Sequence, residues 1–208
     1  MGKTFQALTT YQDEQDFYKI EIREKSINEL PDGDLIVRVQ YSSLNYKDAL
    51  SATGTKGITQ KYPHTPGIDA AGIVADSSDK NFPEGTRVIV SGYDLGVNTS
   101  GGFGQYIKVP NNWVVKCPDN LSTKEAMMIG TAGLTAAFSA DAILNHIPLN
   151  EAEVIVSGAT GGIGSIAVNL LNLLGAKVSA VTGKSDVDNY LFDLGATEII
   201  QRDKFIKE

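Results

Sequence analysis

Four glycines, Gly158, Gly161, Gly162 and Gly164, follow an apolar run, Val154-Ile155-Val156, and lead into a helix-like stretch from Ile163 to Leu174 that is free of breakers after Gly164. This arrangement leaves the chain few choices. The apolar run reads as a buried strand and the following segment as a helix, so the glycines must make a tight strand-to-helix turn. A helix that starts there points its free N–H groups and positive dipole end at whatever the turn holds, which suits a phosphate. In such turns early glycines permit the bend, a middle one lets the pyrophosphate approach the backbone, and the last lets helix and strand pack closely. The spacing alone does not say which of the four does which. A P-loop is the sharp rival, but it requires Lys followed by Ser or Thr, and Gly164 is followed by Ser165-Ile166.

The segments after the turn repeat the same grammar. The helix to Leu174 is closed by Gly175, Lys177 to Val181 is a second strand, Asp186 to Leu194 a second helix closed by Gly195, and Glu198-Ile199-Ile200 a third strand. The product is β-α-β-α-β, the first half of a doubly wound nucleotide-binding sheet. A complete sheet of this kind adds about three more strands, so the expected fold is a Rossmann sheet that is incomplete in this chain.

Upstream the period differs. From Phe5 to about Pro118, short β-branched runs such as Leu35 to Val39, Gly72 to Ala75, Arg87 to Val90 and Tyr106 to Val109 alternate with Gly, Pro, Asn and Asp, the pattern of a small β-barrel. Leu44 to Ser51 reads as one short helix and Gly92 to Gly104 as a long loop. After Pro118, Ser122 to His146 is rich in Ala, Met and Leu and reads as one or two helices divided near Gly130 to Gly133. The expected domains are therefore 1–120, a β module, and 121–208, a nucleotide-binding α/β unit.

Composition removes other classes. A formal net charge of −7 argues against a nucleic-acid surface, which needs clustered Lys and Arg. The one cysteine, Cys117, excludes an internal disulfide framework, and a reducing cytoplasm is the simplest compartment. The sequence opens on a polar stretch with no apolar region of signal-peptide length, Gln6 stands where a myristoylation signal wants Ser or Thr, and no window reads as a membrane span. The two histidines, His64 and His146, have no ligand-like spacing to each other or to Cys117, so no metal is expected. Cys117 and Trp113 read as packing residues.

The cofactor can be narrowed further. NAD sites carry Asp or Glu about 20 residues past the first glycine to bind the ribose hydroxyls. Here the second strand ends Thr182-Gly183-Lys184-Ser185, which offers hydroxyls and a cation to a 2′-phosphate, and Arg202 supplies a second cation at the same sheet edge. NADP(H) is the expected cofactor.

Four motifs now stand in order: Ser43-Leu44-Asn45-Tyr46-Lys47-Asp48-Ala49-Leu50, Pro66-Gly67-Ile68-Asp69-Ala70-Ala71-Gly72, Ile129-Gly130-Thr131-Ala132-Gly133, and Gly158 to Gly164. Together they resemble the YhdH/YhfP group of quinone oxidoreductases, which includes acrylyl-CoA reductases, within the zinc-independent medium-chain dehydrogenase/reductase superfamily. The resemblance implies a GroES-like barrel followed by a Rossmann domain with the active site in the cleft between them. Where zinc-dependent relatives carry Cys-His and Gly-His-Glu, this chain has Asn45-Tyr46 and Gly67-Ile68-Asp69. It further implies nicotinamide contacts at Tyr46 and Thr131, diphosphate contacts from Thr160, Gly161, Gly162, Ile163 and Gly164, and 2′-phosphate contacts at Thr182, Gly183 and Lys184.

The expected activity is hydride transfer from NADPH to a quinone or to the alkene of an α,β-unsaturated carbonyl or acyl-CoA. Tyr46 is the candidate proton source, or only a wall of the site, with Asn45 and Asp48 orienting it. The expected partners are a small-molecule substrate and, with the whole nucleotide domain present, a second copy in a homodimer. The alternatives are a nucleotide-binding protein or subunit with little turnover and, against the acidic charge, a nucleic-acid-binding relative like ζ-crystallin.

Overall fold

A computed structural model describes residues 3–205. β1 (Thr4–Gln12) and β2 (Tyr18–Ser26) pair as an antiparallel hairpin. Phe5, Ala7 and Thr9 are buried at every second position of β1, the period of a strand with one covered face. β3 (Leu35–Tyr41), α1 (Tyr46–Ala52), β4 (Asp69–Ser77), β5 (Arg87–Ser91), β6 (Tyr106–Val109) and β7 (Val114–Lys116) follow. Their strands form one antiparallel sheet in the order β6-β3-β4-β5-β7. Leu35, Val37, Val74, Val88, Val90, Ile107 and Val109 make its core, sealed from solvent. Each such side chain contributes roughly 1.5–3 kcal/mol of burial, whereas the ion pairs among the described residues lie at the surface and contribute about 0–1 kcal/mol each.

The hairpin meets the rest of this unit at isolated bridges, Ala7 with Gly104 and Thr10 with His64. The expected barrel is thus assembled from a hairpin and a five-stranded sheet, and the expected long loop at Gly92 to Gly104 joins β5 to β6. Trp113 packs at the edge of the sheet core and stacks on Tyr93 with ring centroids 5.3 Å apart. Cys117 is buried beside Ala71, Ala126 and Met127.

α2 (Thr123–Leu144) opens on a capping box, in which the Ser122 amide donates to Glu125 Oε2 at 2.8 Å and the Glu125 amide to Ser122 Oγ at 3.1 Å. The Ser122 hydroxyl, which donates to Glu125 Oε2 at 2.6 Å, and the Ser122 amide hold the Glu125 carboxyl below its usual range. At Gly130 the backbone leaves the helix, with φ 51° and ψ −161°. The chain divides into two compact units next to this break, between Thr131 and Ala132. The division falls later than the change of period after Pro118 because Ala126 and Met127, in the first turns of α2, are buried against Ala71 and Cys117 of the β unit.

α2 also corrects one expectation. By length and composition it is long and apolar enough to cross a membrane, a window that small Ala, Gly and Thr residues disguise. A spanning helix must satisfy its backbone internally, and this one is broken at Gly130.

In the second unit, β8 (Glu153–Ser157), α3 (Gly162–Leu173), β9 (Lys177–Thr182), α4 (Asp188–Asp193), β10 (Glu198–Gln201) and α5 (Arg202–Phe205) follow in sequence. The sheet is parallel in the order β10-β9-β8. Gly164, Val168 and Leu171 form the buried stripe of α3 at helical spacing. They join Val156, Val178, Ala180 and Leu191 around one core, as expected from the β-α-β-α-β reading.

Burial of the His64 imidazole, beside the Thr10–His64 bridge, predicts a pH dependence for the stability of the β unit. The backbones exchange two hydrogen bonds of 2.7 and 2.8 Å, and the imidazole is buried. Burial holds His64 below the usual histidine range, Lys25 pushes the same way, and the Gly96 backbone and Asp94 oppose. A depressed folded-state value means that the unfolded chain takes up a proton which the fold resists, so stability falls as the pH drops below about 6.5. Urea midpoints should decline between about pH 7 and pH 5.5 in the native protein and much less in His64→Gln; equal slopes would show that His64 does not carry the effect.

Candidate functional site

β8 delivers the chain into the glycine turn at Ser157. Gly158 adopts φ +61°, and its carbonyl accepts from the Gly161 amide at 2.9 Å. Ala159 is fully buried and its amide donates to Val181 O of β9 at 3.1 Å, which ties the turn to the neighbouring strand. Gly161 caps α3 with extended backbone, and the first helical turn contains Gly162, Ile163 and Gly164.

The structure separates the four glycines by task. Gly158 supplies the left-handed bend, with open space where a side chain would stand. Gly164 supplies the close approach, because a Cβ there would lie 2.3 Å from the Gly158 carbonyl oxygen. A Cβ at Gly161 would meet that oxygen at 3.3 Å, and one at Gly162 would make only ordinary contact with Ala132 at 3.6 Å. Gly161 and Gly162 therefore form the open rim at the helix start, where backbone N–H groups lack intrahelical partners.

A cavity of about 550 Å³ opens at the carboxyl ends of β8 and β9, where open α/β sheets bind ligands. Thr160, Gly161, Thr182, Gly183, Lys184 and Arg202 all line it, together with Ser157, Gly158, Val181 and Phe205. The cavity thus gathers six expected cofactor residues, while Gly162, Ile163 and Gly164 lie in the adjoining first turn of α3. The Lys184 amide donates to Thr182 Oγ1 at 3.1 Å, which curls the chain after β9. A Cβ on Gly183 would sit 2.9 Å from the Arg202 guanidinium carbon. The bare backbone of Gly183 is what lets Arg202, from the start of α5, lie against the strand end. Two cations thereby flank one cavity in an acidic protein. Phe205 and Ser157 are lining residues that the sequence reading omits, since nothing in their spacing marks them.

In the β unit two of the other expected site residues, Asn45 and Thr131, gather around Asp69. Asp69 is completely buried and its carboxylate accepts three hydrogen bonds. Asn45 Nδ2 donates to Oδ2 at 2.8 Å, the Thr131 amide to Oδ2 at 3.0 Å, and Thr131 Oγ1 to Oδ1 at 2.7 Å. Asp48 is buried and spends its oxygens on backbone amides, Oδ2 on Asn45 at 2.8 Å and Oδ1 on Ile68 at 2.9 Å. Burial raises its carboxyl above the usual range, against the pull of these two bonds. Its geometry holds the start of α1 in place. Tyr46, at that start, is 80% exposed. Asp69, to which the sequence reading assigns no role in the site, is the centre of the cluster. Its signal was an acid set inside the apolar run Gly67-Ile68-Asp69-Ala70-Ala71. Among the described residues no group of three or more His, Cys, Asp or Glu side chains is placed to hold a metal ion.

Residues 31–119 match the alcohol dehydrogenase GroES-like domain family. YhfP of Bacillus subtilis is 43% identical over 204 residues, 98% of this chain and 62% of its own. A crystal structure of that protein with NAD bound has a TM-score of 0.92. AcuI of Ruegeria pomeroyi, an acrylyl-CoA reductase, is 41% identical over 96% of this chain and 61% of its own. YhdH of Salmonella enterica, crystallised in complex with NADP, is 42% identical with a TM-score of 0.92 over 96% of this chain and 62% of that one. The chain therefore spans about three-fifths of the length of these relatives.

The division of labour among the glycines can be measured without a ligand. Gly164→Ala forces the turn apart and should cost about 1–3 kcal/mol in urea unfolding, whereas Gly162→Ala should change stability by less than about 0.5 kcal/mol. Equal effects at the two positions would contradict the assignment.

Proposed function

The chain belongs to the medium-chain dehydrogenase/reductase superfamily, in the group of YhfP, YhdH and AcuI, and from that premise we propose that it binds NADP(H) and serves hydride transfer to a quinone or to the alkene of an α,β-unsaturated carbonyl or acyl-CoA. The observation that carries the cofactor half is the cavity at the glycine turn, flanked by Lys184 and Arg202 and lacking an acid at the end of β9. The turn and the first turn of α3, Thr160 to Gly164, hold the diphosphate by backbone N–H groups and the helix dipole. Thr182, Gly183, Lys184 and Arg202 hold the 2′-phosphate, each charged contact contributing about 1.5–3 kcal/mol. NAD in the YhfP crystal means that the fold admits either dinucleotide, so preference rests on these two cations.

Bound reduced nicotinamide supplies the hydride. The protein's own groups do the rest. Thr131 and Tyr46 border the nicotinamide, and Asn45 and Asp48 fix the start of α1 that carries Tyr46. The Tyr46 hydroxyl, solvent-accessible in this structure, donates a proton or a hydrogen bond to the oxygen that gains charge as the acceptor is reduced. A thioester or quinone oxygen suits this donor equally, and the active protein is expected to be a homodimer.

Lys184→Ala and Arg202→Ala should each weaken NADPH by about tenfold or more and leave NADH within about twofold, as removal of one charged contact predicts; equal losses for both cofactors would defeat the 2′-phosphate assignment. NADPH oxidation with acrylyl-CoA and with a small quinone tests turnover. Tight NADPH binding with neither substrate consumed would leave a nucleotide-binding protein and overturn the enzyme half.

A further inference from the structure

Gly183 is a glycine that its own backbone does not require. Gly158, in the same cavity wall, takes a left-handed φ of +61°, whereas Gly183 is not among the residues with positive φ. A residue with a side chain could therefore adopt the backbone at 183 without strain. Backbone crowding does not demand a glycine there either. At Gly164 a Cβ would strike a carbonyl oxygen, but at Gly183 the three nearest atoms all belong to one side chain, Arg202 Cζ at 2.9 Å, Nη2 at 3.0 Å and Nε at 3.2 Å. These are three atoms of the guanidinium plane, each inside the roughly 3.5 Å of ordinary contact with carbon.

Sheet register brings the two residues together. β9 and β10 run parallel with Gln201 opposite Thr182 as their last partners, so Gly183 and Arg202 are the next residues out on neighbouring strands. Both line the cavity, and among the described residues no carboxylate lines it with them. Arg202 also makes no ion pair among the described residues. Its guanidinium is thus placed by contact with a bare stretch of backbone, while its charge stays uncommitted. A planar fork seated in advance loses less freedom when it grips a phosphate.

We propose that Gly183 is a specificity-determining residue that acts through Arg202: its bare backbone seats the guanidinium at the cavity rim, and a side chain at 183 lifts the guanidinium off and removes the preference for a 2′-phosphate. This rests on the nucleotide reading above. The guanidinium is the end of a flexible side chain, so it yields to a Cβ without disturbing the fold. The lost quantity is its position, and with it the grip on one phosphate.

A double-mutant cycle tests the coupling, with calorimetric binding of adenosine 2′,5′-bisphosphate and of 5′-AMP, which lacks the 2′-phosphate. Gly183→Ala and Arg202→Ala should each weaken the bisphosphate by about tenfold and leave AMP within about twofold, the worth of about one charged contact. The double variant should bind the bisphosphate within about twofold of Arg202→Ala alone, because the second change has nothing left to displace. The urea midpoint of Gly183→Ala should be no lower than that of the native protein. Equal losses from Gly183→Ala with and without Arg202 would show that position 183 acts on the ligand by itself and would overturn the proposal. Native binding of the bisphosphate by Gly183→Ala, or a Gly183→Ala protein that does not fold, would overturn it too. A native protein that binds the bisphosphate no more tightly than AMP would strike the 2′-phosphate reading and this proposal with it, a result distinct from the others because it appears before any substitution is made.

Discussion

Gly164 approaches the Gly158 carbonyl so closely that no side chain fits between them, and the second unit is organised around that contact. The carbonyl is held in place by the Gly161 amide, the bend is made by the positive φ of Gly158, and Ala159 is tied to β9. α3 must therefore begin at the carboxyl end of the sheet with its first amides turned toward the cavity. The apolar stripe of Val168 and Leu171 then fixes the rest of the helix on the core. Packing dictates the turn, and the turn leaves a positive backbone rim that an acidic protein has no other reason to build.

The cations complete that rim through a second close approach. Arg202 lies against Gly183 because the glycine presents only backbone, and Lys184 follows immediately. Charge alone would have predicted an unpromising protein for phosphate, with a net −7. Local placement outweighs net charge, since interactions between exposed charges fade beyond a Debye length of about 8–10 Å in salt.

Much of this was legible in the residues. β3, β5 and β6 and the whole β-α-β-α-β series carry strong periodic signals, and the structure places them within a few residues of the expected bounds. The pairing of strands was not legible, because the partner of β3 is set by contacts among Val37, Val74 and Ile107 that are distant in sequence. The glycine tasks were not legible either, since four identical residues differ only in what stands beside each. Asp69 was hidden for another reason. A carboxylate with three donors from Asn45 and Thr131 looks, in sequence, like an isolated loop acid. The apolar content of α2 was underestimated because its small residues are individually weak hydrophobes.

The central claim is that the glycine turn and the end of β9 hold one dinucleotide by backbone and cation together. Amide hydrogen exchange of the 208-residue chain with and without NADP⁺ reads this directly. The account predicts added protection confined in the second unit to 158–165 and 182–184. Protection elsewhere with those amides unchanged, or no change on addition of saturating NADP⁺, would contradict it.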